Sequence, residues 1–335
     1  MDYKKILRFF FGTTLLIFLF SLLDLQLLSD TLKSVDERVY VVSIVLCLMG
    51  NLFCAIRWIS LCQSFKFNIP KKTFVFIYFE SIAANCILPG GILGGDVWRT
   101  SRIISESKKH GKNSDSFGKI SKKNQIALIS LSVFADRAHG FWLLCFIGIC
   151  SFSVLLIDKH NKYLKNIFVD PSNINQLFFY AIGLLLILIF PVLIYFLYTK
   201  LKRGNIKNKF FHLNNYIIAN YIFELIPLSI NKKLLFFSLL SQLFFGFAFW
   251  VCLHSVGIEI NILYILFVVP GIFLFGILPI SIGGFGPREA GALIFIALYG
   301  VNNEHIFASS ILFGLTSTII GLLTILLSVV FQIRK

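Results

Sequence analysis

The chain reads as an all-α polytopic membrane protein of about six full transmembrane helices and two re-entrant helical hairpins, and three observations predict it. Hydrophobic residues make up 57% of the 335 residues and charged residues 14%, with a mean hydropathy of +0.83; soluble domains carry roughly 25% charge. Apolar runs long enough to cross a hydrocarbon core of ~30 Å alternate with short basic loops. Two of the apolar segments are broken by glycine, proline and charge, at Leu88-Pro-Gly-Gly-Ile-Leu-Gly-Gly-Asp-Val-Trp-Arg99 and at Leu278-Pro-Ile-Ser-Ile-Gly-Gly-Phe-Gly-Pro-Arg-Glu289. Broken backbone and charge at membrane depth are tolerated only where protein buries them or a water-filled cavity faces them. The two breaks are therefore the candidate functional centre.

Every polar stretch is short, so residues 1–335 read as a single membrane domain with loops and no room for a soluble catalytic domain. The net charge of +15 lies in loops beside apolar spans, where the positive-inside rule and anionic headgroups account for it, and nucleic acid is not an expected partner. Cys47, Cys54, Cys62, Cys86, Cys145, Cys150 and Cys252 all fall in apolar segments without C-x-x-C spacing, as small hydrophobes and not as disulfides or metal ligands. The histidines show no metal spacing either; His139, inside a span, reads as a hydrogen-bonded residue. No metal and no cofactor are expected.

Lys4, Lys5 and Arg8 precede an apolar run from Phe9 to Leu28 that ends without a small-x-small cleavage site, which predicts an uncleaved first span with a cytoplasmic N-terminus. The second span, Val39 to Phe65, carries Arg57 and Trp58 near its end, and Arg57 is expected to snorkel to the interface beside Lys66, Lys71 and Lys72. Thr73 to Leu88 is apolar except for Glu80 and Asn85 and leads into the first break, after which a short leg runs to Ile104. A full crossing here would place Arg99, Arg102, Lys108, Lys109, Lys112, Lys119, Lys122 and Lys123 outside, against the positive-inside rule. A hairpin that enters from the cytoplasm and turns at the glycines keeps the basic loop 105–124 cytoplasmic.

Gln125 to Ile157 is a long span that can tilt, and it carries Asp136, Arg137 and His139. After an outer loop from Asp158 to Asn175, Gln176 to Tyr198 returns inward with Pro191 as an expected kink, and Lys200, Lys202, Arg203, Lys207 and Lys209 mark the cytoplasmic side. Phe210, Leu213, Ile217, Tyr221 and Leu225 recur at helical spacing in a stretch too polar to span, which predicts an interfacial amphipathic helix over 210–225. Leu234 to Val256 then crosses outward. Asn261 to Leu278 leads into the second break at Pro279 to Pro287, Arg288 to Tyr299 forms a second short helix, and Ile306 to Ile333 is the last span. Read as a hairpin, the second break leaves Arg334, Lys335 and the C-terminus cytoplasmic, in the cell inner (cytoplasmic) membrane.

The halves 1–157 and 176–335 then each read span, span, hairpin, span, the first begun from the cytoplasm and the second from outside. This is an inverted-topology repeat, a pattern that in transporters brings discontinuous helices together near the midplane. At Gly94-Gly95-Asp96 and at Gly283-Gly284-Phe285-Gly286-Pro287 a glycine turn runs into a helix start, with Pro287 suited to the first helical position. Amides at a helix start beside a guanidinium make an anion site, and a phosphate or phosphodiester is the natural ligand in a membrane. Arg99, Arg102 and Arg288 are the guanidinium candidates, Asp96 and Glu289 would orient them, and Gly94, Gly95, Gly283, Gly284 and Gly286 would allow close backbone approach. Asp136, Arg137, Asn85 and Glu80 form the supporting network. Asp96 and Arg99, three residues apart, can also pair with each other, and the same charges can act as an ionic staple between the hairpins. Asp36 and Glu37 in the first outer loop read as solvated charges, and no catalytic residue is expected.

The motifs Asn85, Pro89 and Gly94-Gly95-Asp96-x-x-Arg99, then Asp136-Arg137-x-x-Gly140, then Pro279-x-Ser281-x-Gly283-Gly284-x-Gly286-x-Arg288-Glu289 resemble the lysylphosphatidylglycerol synthase transmembrane, or flippase-like, domain proteins of bacteria and archaea. The resemblance runs over essentially the whole chain, with Asp136 standing where a glutamate is common. In larger members a cytoplasmic aminoacyl transferase domain follows and makes the aminoacylated lipid, which the membrane part is thought to move between leaflets. That transferase domain is not in this sequence, so lysyl transfer is not implied. The resemblance implies a stand-alone flippase-like protein that moves an anionic phospholipid or a polyprenyl-phosphate-linked glycolipid between leaflets. The alternatives are a membrane-embedded transferase, or an accessory partner of a separate lipid synthase or glycosyltransferase. Its expected partners are accordingly a membrane lipid or lipid-linked glycan and such an enzyme, with no oligomeric state implied.

Overall fold

The computed structural model describes residues 19, 21, 23–64, 69–88, 93–110, 122–157, 171–203, 231–278, 281 and 283–333. Among them are ten α-helices: α1 Leu25–Lys33, α2 Glu37–Ser64, α3 Lys71–Ile87, α4 Leu93–His110, α5 Lys122–Ile157, α6 Pro171–Arg203, α7 Lys232–Ser255, α8 Ile262–Ile277, α9 Pro287–Ile296 and α10 Asn303–Ile333. A short 3₁₀ turn, Ala297–Tyr299, follows α9. Most of the expected first span, residues 89–92, 111–121 and 158–170, and the interfacial helix expected over 210–225 lie outside the described residues.

Helix starts follow from local capping. Asp24 caps α1 by accepting from the amides of Gln26 and Leu27 at 2.9 and 3.1 Å. Asp36 does the same for α2, accepting from Arg38 at 2.9 Å, so this acid is a cap as well as a loop charge. Asn231 and Asn261 cap α7 and α8. Pro287 occupies the first turn of α9, where its missing N–H leaves no bond unmade.

Among the described residues, four helices contain segments long and apolar enough to cross a membrane: Glu37–Gln63, Asn124–Ile157, Lys232–Ser255 and Asn303–Ser328. Ile174–Phe190, within α6, and Ile262–Ile277 are shorter apolar segments. The chain is a multi-pass integral membrane protein. α6 is helical on both sides of residue 191.

Packing is reciprocal between the halves. Among the described helices, α2 and α7 share the broadest interface. α3 pairs with α4, and α8 with α9, as helix–break–helix units. The first leg of each unit lies on the long helix of the opposite half, α3 on α10 and α8 on α5. Small residues let these crossings close: a Cβ on Gly321 would press on the backbone of Ala83, and one on Gly148 would press on Pro270 and the carbonyl of Phe267.

Candidate functional site

The first break places Arg99 on α4, one turn after Gly95. A Cβ on Gly95 would collide with the Ser81 carbonyl and with Asn85, so only glycine lets α4 lie this close to α3. The Gly95 N–H donates to Asn85 Oδ1 at 2.6 Å, which locks the two legs together. Arg99 is thereby driven inward and is only 1% exposed. Its Nε donates to Ser81 Oγ at 2.8 Å, and its guanidinium lies 4.1 Å over the Tyr78 ring and 5.1 Å from that of Trp58.

Asp136 of α5 sits between two arginines: Arg57 Nε at 2.7 Å and Arg99 Nη1 at 3.4 Å. All three are buried. Arg57 also donates to Ser238 Oγ of α7 at 3.3 Å, and that hydroxyl lies 2.7 Å from His139 Nδ1. The network thus joins α2, α3, α4, α5 and α7 through side chains. Beside it, Arg137 pairs with Asp96 at 3.0 Å.

The second break is more local. Gly283, Gly284 and Gly286 have φ of 62°, 82° and 95°, the left-handed region that favours glycine, and Gly284 rests on the carbonyl of Gly276. Arg288 and its neighbour Glu289 form a fork, with Arg288 donating from Nη2 at 2.7 Å and Nε at 3.1 Å to Glu289 Oε1. Ser310 of α10 donates to the same oxygen at 3.0 Å. The other carboxylate oxygen of Glu289 accepts from the Gly286 amide and caps α9. Phe285 lies against the Arg288 guanidinium at 5.0 Å.

Both breaks line one cavity of about 860 Å³. Asp96, Arg99, Asn85, Asp136, Arg137, Gly283, Gly284 and Arg288 reach its wall, with Glu289 directly behind Arg288. Gly140 and Gly314 leave room there: a Cβ on the first would meet the Arg57 guanidinium, and on the second that of Arg288. Among the described residues, four arginines (57, 99, 137 and 288) and two aspartates (96 and 136) line the cavity. Counting Glu289, four cations meet three carboxylates, a surplus of one positive charge.

Several expectations are corrected. Arg57 does not snorkel to the interface. It lies seven residues, about 10 Å, before the end of α2, too deep to reach out, and it is 3% exposed against Asp136. Its depth and the unpaired acid at Asp136 were the signals in the sequence, masked by the lysines that follow. Asp96 and Arg99 do not pair with each other; each finds its partner on α5. Arg102 lies off the cavity wall, held by Glu80 at 2.9 Å and Glu106 at 3.5 Å, and Glu80 also accepts from Trp98 at 3.2 Å. The Gly95 and Gly286 amides are taken by Asn85 and Glu289 and are not open to an anion; guanidinium groups line the cavity instead. Gly94, Gly95 and Gly286 are buried away from the wall, while Gly283 and Gly284 form part of it. Cys150 is exposed and Cys86 partly so, unlike the five buried thiols. Tyr78, Ser81, Ser238 and Ser310 are polar contributors that carry no charge or glycine signature in the sequence.

Apolar helices packed around a chamber of paired charges, with broken helices as two of its walls, are the architecture of a multi-pass membrane protein. The chain belongs to the lysylphosphatidylglycerol synthase TM region family, which it matches over residues 5–324. No curated protein matches it.

Proposed function

We propose that this protein binds a lipid carrying a phosphate in the cavity between its two breaks and moves it between leaflets, without changing it covalently. The observation that carries the reading is the surplus arginine charge on a cavity walled by both breaks. Uncompensated charge is expensive in a membrane interior, and an anionic headgroup would offset it. The transferase alternative needs a free base. Asp136 is held by two arginines, Asp96 by Arg137, and Glu289 by Arg288 and the Gly286 amide, which leaves none of the three poised to take a proton.

The halves act in this reading as an inverted-topology repeat, with each break a re-entrant hairpin. The reciprocal packing of α3 on α10 and α8 on α5 supports it. In a cytoplasmic membrane, both termini and the basic loop 105–124 then face the cytoplasm. Single cysteines at Ser114 and Asn302 in a cysteine-free background test this: Ser114 reacts only from the cytoplasm, and labelling of Ser114 from outside refutes the topology. For transport, liposomes with headgroup-labelled phospholipids should show faster leaflet exchange than empty vesicles, and Arg288→Ala should slow it. Exchange no faster than in empty vesicles for any phospholipid or polyprenyl-phosphate lipid refutes transport. The family name, that of a synthase membrane region, favours as second reading an accessory role beside a separate enzyme, which predicts co-purification with it.

A further inference from the structure

We infer that α8 is hinged at Pro270 and Gly271 and that the Tyr180 hydroxyl of α6 is the latch that holds the hinge, so that residues 271–277 and the second break swing as one panel of the cavity wall. This goes beyond the proposed lipid reading and does not depend on it. The sequence puts the weak point there: a proline inside a helix has no N–H to give, and its ring crowds the carbonyl four residues back. The gap in the ladder is filled from another helix. Tyr180 Oη accepts from the Gly271 amide at 2.7 Å and donates to the Val268 carbonyl at 3.4 Å, one bond on either side of Pro270. A side chain inserted into the ladder in this way is a cause of helix bending. The Tyr180 ring is seated as well, its centroid 5.1 Å from that of Phe267 on α8 and 4.7 Å from that of Phe295 on α9. α6 packs mainly along α5 and reaches the second helix–break–helix unit through Tyr180.

The two sides of the hinge are held differently. Residues 264–269 are all buried, with Asn261 capping the start of α8 and Tyr264 donating to the Phe295 carbonyl at 2.7 Å. None of residues 262–272 reaches the cavity, whereas Phe273, Gly276 and Ile277 line it. Leu274 is 45% exposed and Ile277 37%, so this side is not locked in on every face.

The far side also holds together as a unit. Gly284 of the second break rests on the Gly276 carbonyl, and the Arg288 side chain lies beside Gly276. Phe275 sits over Gly291 of α9, where a Cβ would press on its ring. A shift of residues 271–277 therefore carries Arg288 with it. Both legs turn at one level: a Cβ on Gly271 would collide with the Phe295 ring, and the Tyr264 bond ties that end of α9 to the fixed side. Gly271 is needed for this close approach, and Tyr180 closes the same spot from the α6 side.

Hydrogen–deuterium exchange of the detergent-solubilised full chain tests the hinge, with no lipid ligand in the measurement. Tyr180→Phe keeps the ring contacts and removes only the hydroxyl. It should speed exchange over residues 272–277 several-fold and leave residues 262–269 unchanged. Adding Pro270→Ala, which restores an N–H and the ladder, should cancel most of that rise. No rise, a rise confined to the Gly271 amide, an equal rise on both sides of Pro270, or a rise that Pro270→Ala does not reduce overturns the inference. If Tyr180→Phe does not accumulate, Pro270→Ala alone should slow exchange over residues 272–277, and an unchanged rate there overturns it. A hinge confirmed without leaflet exchange in liposomes refutes transport alone, and leaflet exchange without the hinge signature refutes this inference alone.

Discussion

The two breaks place arginine in the cavity wall by different means. At the first, Arg99, Arg57 and Asp136 come from three helices, and Ser81 and Ser238 add two more. At the second, Arg288 and Glu289 are sequence neighbours on one helix, and only Ser310 is supplied from elsewhere. The positions nonetheless correspond: Asp136 is followed four residues later by Gly140, and Ser310 by Gly314, each glycine making room for a guanidinium. Where the first half uses an acid on its long helix, the second uses a serine there and carries the acid beside the arginine. The first break is a tertiary staple, while the second is a self-balanced clasp. The unbalanced charge lies at the staple, where the proposed anionic headgroup would bind.

This contrast orders the effects of substitution. Asp136→Asn strands two buried arginines and should cost about 3–5 kcal/mol, read as a large fall in the unfolding temperature of the detergent-solubilised protein or as failure to accumulate. Glu289→Gln keeps a carbonyl for the Gly286 amide and strands one arginine that Ser310 and Phe285 still contact, so a smaller loss of about 1.5–3 kcal/mol is expected. A larger loss at Glu289 than at Asp136 would reverse the assignment of staple and clasp. Gly95→Ala forces a methyl into the Ser81 carbonyl and should cost about 1–3 kcal/mol. Arg102→Ala, at a partly exposed pair off the cavity, should cost less than about 1 kcal/mol and leave lipid binding unchanged; a clear binding defect would return Arg102 to the site.

The long helices among the described residues and both breaks were legible in the sequence because apolar runs, glycine and stranded charge are signals along the chain, whereas the fresh helix start that Asp24 caps inside the expected first span was not. The pairing of charges was not. Asp96 and Arg99 are spaced to meet each other, yet the close approach at Gly95 turns Arg99 toward Asp136 and leaves Asp96 to Arg137. That choice depends on α5, which is distant in sequence. The burial of Arg57 is hidden from a reading along the chain for the same kind of reason: its partner lies 79 residues away, while three lysines lie close by. Amide anion sites were expected at both helix starts, and both tested amides are satisfied by side chains, because a buried N–H without water must find a protein acceptor.

A double-mutant cycle decides whether the two breaks serve one ligand, as the proposed function requires. Phosphatidylglycerol binding is measured for the parent protein, Arg99→Gln, Arg288→Gln and the double variant, each first verified as folded. A shared headgroup predicts that the double variant loses less affinity than the two single losses summed, by at least about 0.5 kcal/mol. Losses that add within error would mean two independent sites and would refute a shared ligand.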